Sequence, residues 1–222
     1  MTVKKCKNHH GAVLDSIKGF DVIDCEVCGF KHIIPIPTPD ELIKVYQQEY
    51  YSKEKPCFIQ NASEDLEWWN IVYKERYDLF EKLLPKSRRK IFDVGTGPGN
   101  FLLYGRDHGW DVSGIEPSKQ AAEYGKQRGL NIINDFLDEN TAKGLGTFDV
   151  VHASEVFEHL PDPQKMASII SGLLNPGGLA CIVVPNDYNP IQDVLRKSGF
   201  APWWVAPPHH INYFDPKSCA HC

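Results

Sequence analysis

The fold is decided by the stretch KIFDVGTGPGNFLL, residues 90–103. It opens with a short apolar run of the kind that makes a buried strand, and a helical pattern begins near Asn100. Between the two stand Gly95, Gly97 and Gly99, where a backbone without side chains lets a ligand approach closely. The third glycine comes one residue too early for the dinucleotide fingerprint G-x-G-x-x-G, and no Gly-Lys-Ser/Thr follows as in a phosphate-binding P-loop.

Acidic residues at the strand ends indicate which ligand the loop holds. Asp93, just before the glycines, would repel a pyrophosphate but attract the ammonium group of an amino acid. The second strand ends in GIEP, where Glu116 can accept from both hydroxyls of a ribose. The third strand ends in INDFLD, where Asp135 can accept from an adenine amino group and Phe136 can flank the ring. This pattern predicts a nucleoside that carries an amino acid.

Strands and helices alternate from residue 90 onwards. The strand-like runs are KIFDV, DVSGIE, NIIND, FDVVHA and GGLACIVVPN, and amphipathic helical patterns separate them. Such alternation predicts an α/β fold with a doubly wound, mostly parallel sheet that binds ligands at the carboxyl ends of its strands.

The five motifs FDVGTGPGNF, GIEPS, INDFLDE, FDVVHASEVFEHLPDP and LNPGGLACIVVPN, in this order, resemble class I S-adenosylmethionine-dependent methyltransferases, especially the ubiquinone- and menaquinone-pathway type. The resemblance covers residues 90–190 and implies transfer of a methyl group to a small-molecule acceptor, with oxygen as the expected acceptor atom. It also implies that S-adenosylmethionine is held by Asp93, Gly95, Thr96, Gly97, Gly99, Glu116, Asp135, Phe136 and Ser154.

The methyltransferase fold of this family has seven strands, and only five are predicted here, ending near Asn186. We therefore expect a Rossmann-like methyltransferase domain that is truncated at its carboxyl end and lacks the last two strands. Its fifth strand would present an open edge, which a second copy or a partner chain could cover. If the missing part prevents turnover, the chain would instead be a non-catalytic scaffold that binds S-adenosylmethionine.

The segment SEVFEHL carries the candidate catalytic groups. A base is needed when the acceptor is a hydroxyl, and His159 and Glu155 are the candidates. In ubiquinone-pathway O-methyltransferases the same E-x-x-E-H spacing can hold a divalent cation, which implies a possible Mg²⁺ near Glu155, Glu158 and His159. The alternative is that Glu158 and His159 only cap and pack this turn.

Cysteine and histidine pairs mark the amino-terminal segment. Cys25 and Cys28 form C-x₂-C followed by glycine, as in a zinc knuckle, and Cys6 and His9 form C-x₂-H. Two such pairs predict a closed, tetrahedral structural Zn²⁺, in which His10 could replace His9. Unrelated reduced thiols are the alternative.

These patterns divide the chain into three predicted segments. Residues 1–37 are a zinc-ribbon-like module, in which the CEVCG stretch joins two short β-runs, residues 38–89 are a helical connector, and residues 90–222 are the methyltransferase domain. Within the connector, a helix is predicted from about Glu64 to Leu84, with one apolar stripe of residues at steps of three and four: Leu66, Trp69, Tyr73, Tyr77, Phe80 and Leu83.

The composition and motifs of the chain disfavour several functional classes. The net charge of −5 over 222 residues disfavours a nucleic-acid groove. No apolar run is long enough to span a bilayer, and the first residues lack a secretory signal, so a cytoplasmic location is expected. A nicotinamide-dependent reductase is disfavoured by the early third glycine.

Overall fold

The structure is a computed structural model that describes residues 8–38, 41–42 and 65–220. The chain divides into two units, each considered by itself below. The first unit comprises Met1–Pro39, Glu155–Ala167 and Val183–Cys222, and the second comprises Asp40–Ser154 and Ser168–Ile182. The three segments predicted from the sequence divide the chain differently, and their boundaries stay a prediction.

Nine strands are formed by the described residues. In chain order they are β1 Gly11–Ile17, β2 Phe20–Cys25, β3 Lys31–Ile34, β4 Lys90–Val94, β5 Asp111–Ile115, β6 Asn131–Ile133, β7 Phe148–Ser154, β8 Leu174–Val183 and β9 Asn212–Tyr213. The helices are α1 Leu66–Leu83, α2 Asn100–Asp107, α3 Lys119–Gln127, α4 Glu139–Ala142, α5 Pro163–Gly172, α6 Pro190–Lys197 and α7 Pro216–Cys219, with a 3₁₀ turn at Phe157–His159. None of the described helices is both long and apolar enough to cross a membrane.

The second unit contains the sheet predicted from the sequence. Its strand order is β6-β5-β4-β7-β8, and β4 pairs in parallel with both β5 and β7. The central strand β4 is buried from Ile91 to Val94, as expected for a parallel strand covered on both faces. All five predicted strands and the α/β fold class are confirmed. The described residues add no sixth or seventh strand to this sheet.

Helix α1 packs an aromatic cluster against α2. Tyr77 and Phe80 are buried, as the predicted stripe requires, and Tyr77 stacks on Phe101 at 4.8 Å between ring centroids. The stripe was wrong at both ends, because Trp69 and Leu83 are exposed, and Leu84 is buried in place of Leu83. The reason is that the helix stops at Leu83, so the extended backbone of Leu84 turns its side chain inward.

Gly105 of α2 permits the close approach of Tyr77. A Cβ at this position would lie 2.1 Å from Tyr77 Oη and 2.5 Å from Cζ. We expect Gly105→Ala to lower the free energy of unfolding by about 1–3 kcal/mol, because overpacking a filled core outweighs the better helix propensity of alanine. Denaturant unfolding measures this change. The control is Gly172→Ala in α5, where nothing lies within 4 Å; equal stability of the two variants would contradict the tight packing.

The first unit is built on an antiparallel sheet of order β1-β2-β3-β9. The predicted hairpin at CEVCG is confirmed as the β2–β3 pair, with Asp21 opposite Ile34. The sequence did not predict β1 or β9. The latter pairs with β3, with Lys31 opposite Tyr213 and His32 opposite Asn212.

Candidate functional site

A glycine loop connects β4 to α2 in the second unit. Gly95, Gly97 and Gly99 all have positive φ, at 67°, 55° and 82°. Gly99 is also required by packing, since a Cβ there would lie 2.3 Å from Leu130 Cδ1. The N–H groups of Gly95 and Thr96 donate to the carbonyl of Ile115, which binds the loop to β5. The tight strand-to-helix turn is therefore built by the glycines themselves.

Asp93 lies at the end of a chain of hydrogen bonds. Its side chain is only 5% exposed, and Oδ1 accepts from Nδ1 of His152 on β7 at 2.7 Å. Nε2 of the same imidazole accepts from Nη1 of Arg76 at 3.0 Å. Because an arginine can only donate, the second nitrogen, Nδ1, must carry the proton that points at Asp93. Phe101 stacks on the His152 ring at 3.9 Å and holds it flat.

Neither Arg76 nor His152 was predicted from the sequence. His152 gave a weak signal, as a polar residue inside the apolar run FDVVHA. Arg76 gave none, because it lies on the polar part of a helix distant in sequence. Its Nη1 also donates to Ser154 Oγ at 3.5 Å, so one guanidinium contacts two residues near the carboxyl end of β7.

Glu116 is buried at the end of β5. Its Oε2 accepts from the N–H of Gly97 and its Oε1 from the N–H of Ser118, each at 2.8 Å. Burial raises the pKa of this carboxyl to about 7, against the lowering effect of the two backbone donors. Glu116, which the sequence predicts to bind a ribose, thus also holds the glycine loop through Gly97. Binding of a ribose by Glu116 stays a prediction.

The remaining predicted cofactor residues differ in burial. Thr96 Oγ1 is buried without a hydrogen-bond partner among the described residues. Asp135 is exposed, and its Oδ1 accepts from the N–H of the half-buried Phe136 at 2.8 Å. An oriented buried carboxylate, an unsatisfied hydroxyl and a left-handed glycine loop fit a ligand with an ammonium group and a ribose.

The turn after Ser154 belongs to the first unit. His159 Nδ1 donates to the carbonyl of His209 at 2.7 Å, which leaves Nε2 as the acceptor nitrogen. Glu158 is fully buried, and neither of its oxygens has a hydrogen-bond partner among the described residues. Burial, with a contribution from the nearby Glu155 carboxyl, raises the pKa of Glu158 to about 9.

The magnesium set expected from the resemblance is not supported. The donor atoms that lie within 4.8 Å of one another belong to Glu158, His159 and His210, whereas Glu155 is exposed and has a φ of 58°. The N–H of Glu155 donates to the carbonyl of Val183, at the end of β8, at 2.9 Å. Two imidazoles with one carboxylate also suit Mg²⁺ poorly, since that ion takes oxygen ligands.

Comparison with protein families identifies most of the chain. The family described as a methyltransferase domain matches residues 68–222, most of the chain. The chain belongs to this methyltransferase family. The match confirms the resemblance seen in the five ordered motifs.

Curated relatives of this methyltransferase include two ubiquinone biosynthesis O-methyltransferases. The protein from Coxiella burnetii is 28% identical over 145 residues, which are 59% of this chain and 61% of the relative. The protein from Escherichia fergusonii is 33% identical over 96 residues, 40% of each chain. The alignment thus spans about three fifths of the length of the first relative.

Solved structures show the same methyltransferase fold. A SAM-dependent methyltransferase from Archaeoglobus fulgidus matches with a TM-score of 0.55 at 19% identity, covering 70% of this chain and 66% of that one. The plantazolicin methyltransferase BpumL in complex with SAH matches with a TM-score of 0.54 at 17% identity, covering 70% and 60%. At these identities the likeness concerns the fold.

A cluster of cysteine and histidine residues lies outside the region that matches the methyltransferase family. The cluster, named the zinc cluster below, consists of His9, Cys25, Cys28 and His32, whose donor atoms all lie within 4.8 Å of one another. Burial lowers the pKa of both histidines, which favours neutral imidazoles. Of the predicted ligands, Cys6 lies outside the described residues.

The structure brings His9 rather than His10 to the cysteines. His10 is exposed, and its Nδ1 pairs with the carbonyl of Asn8 at 3.0 Å. The sequence does not predict the participation of His32, which stands four residues after the C-x₂-C motif, in the second of the two predicted β-runs.

Proposed function

We propose that this protein transfers the methyl group of S-adenosylmethionine to a small-molecule acceptor, at oxygen. The observation that carries the proposal is the buried Asp93, oriented by His152 and Arg76 beside the glycine loop, within a chain that belongs to the methyltransferase family. The printed function of the relatives, ubiquinone biosynthesis O-methylation, supports oxygen as the acceptor atom.

In this proposal the second unit binds the cofactor. Asp93 pairs with the ammonium group, and Gly95, Thr96, Gly97 and Gly99 lie along the methionine part. Glu116 accepts from the ribose hydroxyls, for which each carboxylate oxygen keeps a second lone pair. Asp135 and Phe136 contact the adenine, and Ser154 lines the reaction site.

The cofactor supplies an activated methyl group, so the protein needs to bind, to orient and to remove one proton. We assign the proton removal to His159, with Glu155 as the second candidate. The hydrogen bond from Nδ1 of His159 to the carbonyl of His209 fixes the tautomer in which Nε2 can accept a proton.

The test is a product screen with S-adenosylmethionine that carries a trideuteromethyl group. Incubation with small phenols, catechols and sugars is expected to give one labelled methyl ether, detected by mass spectrometry, together with S-adenosylhomocysteine. Label found only on amines would overturn O-methylation. Calorimetric binding of the cofactor without any labelled product would favour the scaffold alternative.

His152 is proposed as a positioning residue for Asp93. We expect His152→Phe, which keeps the ring stacked on Phe101 but has no donor, to raise the KM for S-adenosylmethionine about tenfold, since hydrogen bonds to charged groups contribute about 1.5–3 kcal/mol. The kcat at saturating cofactor should change little. His152→Asn retains a donor close to the backbone and is expected to recover part of the affinity. Equal effects on KM and kcat, without recovery by Asn, would indicate a merely structural role.

We further propose a structural Zn²⁺ in the amino-terminal segment, with Cys6, His9, Cys25 and Cys28 as the set predicted from the sequence. The proximity of His9 to both Cys25 and Cys28 supports it. Cytoplasmic location, the absence of membrane and nucleic-acid partners, and a second copy or partner at the edge of β8 remain predictions from the sequence.

A further inference from the structure

The zinc cluster is assembled by three neighbouring elements of the first unit. His9 precedes β1, Cys25 ends β2 and Cys28 lies in the turn between β2 and β3, while His32 is the second residue of β3. The turn is tight, with the N–H of Gly29 donating to the carbonyl of Cys25 at 3.0 Å. The four side chains therefore meet at one end of the hairpin.

The spacing of the first three donors fits one tetrahedral ion. His9 Nδ1 lies 3.5 Å from Cys28 Sγ and 3.9 Å from Cys25 Sγ. Tetrahedral Zn²⁺ with ordinary bond lengths places a nitrogen and a sulfur ligand about 3.6 Å apart. The N–H of Cys28 also points at Cys25 Sγ at 3.5 Å, an interaction that stabilises a thiolate.

His32 supplies the decisive observation. Its side chain is 1% exposed, and Nδ1 donates to the carbonyl of Ile33 at 2.9 Å. The second nitrogen, Nε2, is buried and has no hydrogen-bond partner among residues 8–38, 41–42 and 65–220. A buried acceptor left unsatisfied costs about 1–3 kcal/mol, and ligation to a metal would remove this cost. Histidines that bind metals normally donate their other ring N–H to a carbonyl or carboxylate, as His32 does.

The position of His32 is fixed by strands on both sides. It lies opposite Ile23 on β2 and opposite Asn212 on β9. Its ring meets the ring of His9 edge to face, with centroids 4.5 Å apart. A ligand held in the middle of a sheet is preorganised.

We propose that His32 is the fourth ligand of the structural Zn²⁺, so that the ion is closed by two imidazoles and two thiolates and Cys6 is not required. This inference rests on the proposed zinc and changes its ligand set. Four protein ligands leave no open position, so the role of the ion is structural.

The proposed zinc ion is connected to the turn that carries His159 through the pairing of β3 with β9. Asn212, opposite His32, donates through Nδ2 to the carbonyls of Phe157 and Leu160 at 2.9 and 2.7 Å. The N–H of Ile211 donates to the carbonyl of Glu158 at 2.7 Å. A rigid β3 therefore holds β9, and β9 holds the turn. Loss of zinc should lower kcat while leaving the affinity for S-adenosylmethionine, which depends on the second unit, within about twofold.

The test combines metal analysis with X-ray absorption on the full chain. The wild type is expected to hold about one zinc with two sulfur and two nitrogen neighbours, and Cys6→Ser should keep both the metal and its coordination. His32→Ala should lose zinc, and His32→Cys should retain it with three sulfur neighbours, which keeps the test valid if the alanine variant does not fold. His10→Ala is the matched control and should keep its zinc.

The possible outcomes distinguish an error in the proposed ligand set from an error in the proposal that zinc is bound at all. Three sulfur neighbours in the wild type, reduced to two in Cys6→Ser, would overturn the assignment of His32 but leave the proposed zinc intact. Unchanged zinc content and coordination in His32→Ala would also overturn the assignment of His32 and leave the proposed zinc intact. Absence of zinc after reconstitution of the wild type would overturn both proposals.

Discussion

Asp93→Asn is expected to weaken the binding of S-adenosylmethionine by about 10- to 100-fold, as measured by calorimetry. The change removes the negative charge that would pair with the ammonium group, and charge-assisted hydrogen bonds contribute about 1.5–3 kcal/mol. The fold should survive, because the side-chain oxygen of asparagine can still accept the hydrogen bond that Nδ1 of His152 donates at 2.7 Å.

Asp149→Asn provides a matched control for this experiment. Asp149 is also a buried carboxylate of the parallel sheet, but it stands at the start of β7, at the opposite end from the glycine loop. It accepts from the N–H of Lys90 and from Nδ2 of Asn175. We expect the control to lose some stability and to keep its affinity for the cofactor. Equal loss of affinity in both variants, or none in Asp93→Asn, would reject the role of Asp93.

The parallel sheet was predictable because its signals are local. Apolar runs such as KIFDV and FDVVHA report a buried strand directly, and alternation with helices leaves few topologies once connections are right-handed. The glycine loop was predictable for the same reason, since three left-handed positions in five residues require the small residue that stands there. The order of the motifs then identified the family.

Interactions between distant positions could not be predicted. The two-residue strand β9 is too short to show a period of two, and its partner β3 lies about 180 residues earlier in the chain. Arg76 reaches His152 only because α1 packs on α2 through the rings of Tyr77 and Phe101. His32 read as an ordinary strand residue, because the sequence does not show which of its nitrogens is left without a partner.

Glu158 and Glu116 illustrate a second difference between pattern and structure. From the sequence alone, both acidic residues would be expected to be ionised at neutral pH. Burial raises the pKa of Glu158 to about 9 and the pKa of Glu116 to about 7. Glu116 is compensated by two backbone donors at 2.8 Å, whereas the described residues give the oxygens of Glu158 none. Ionisation of Glu158 therefore conflicts with folding more than ionisation of Glu116 does.

Glu158→Gln is accordingly expected to stabilise the protein, by about 3 kcal/mol in free energy of unfolding at pH 7. The folded pKa of about 9 lies above the ordinary value of 4.5, so at neutral pH the native state holds a proton that the unfolded state has released. The contribution of Glu158 to stability should therefore be fully present below pH 4.5 and should be lost as the pH rises towards 9. Because glutamine does not titrate, the free energy of unfolding of the variant should lack this dependence on pH.

Denaturant unfolding between pH 5 and pH 8 measures the difference, with Glu155→Gln as the control. The carboxyl groups of Glu155 and Asp187 raise the pKa of Glu158, and Nε2 of the His159 imidazole lies 3.8 Å from its Oε1. Removal of the exposed Glu155 charge should lower the pKa of Glu158 and shift the slope only slightly. A wild type whose stability does not change over this range, together with a destabilised Glu158→Gln, would mean that Glu158 is ionised in the folded protein. If the slope is found, Glu158 is a buried acid that weakens the fold at neutral pH in the turn that carries the proposed base His159, and a residue of this kind is expected where selection for activity outweighs selection for stability.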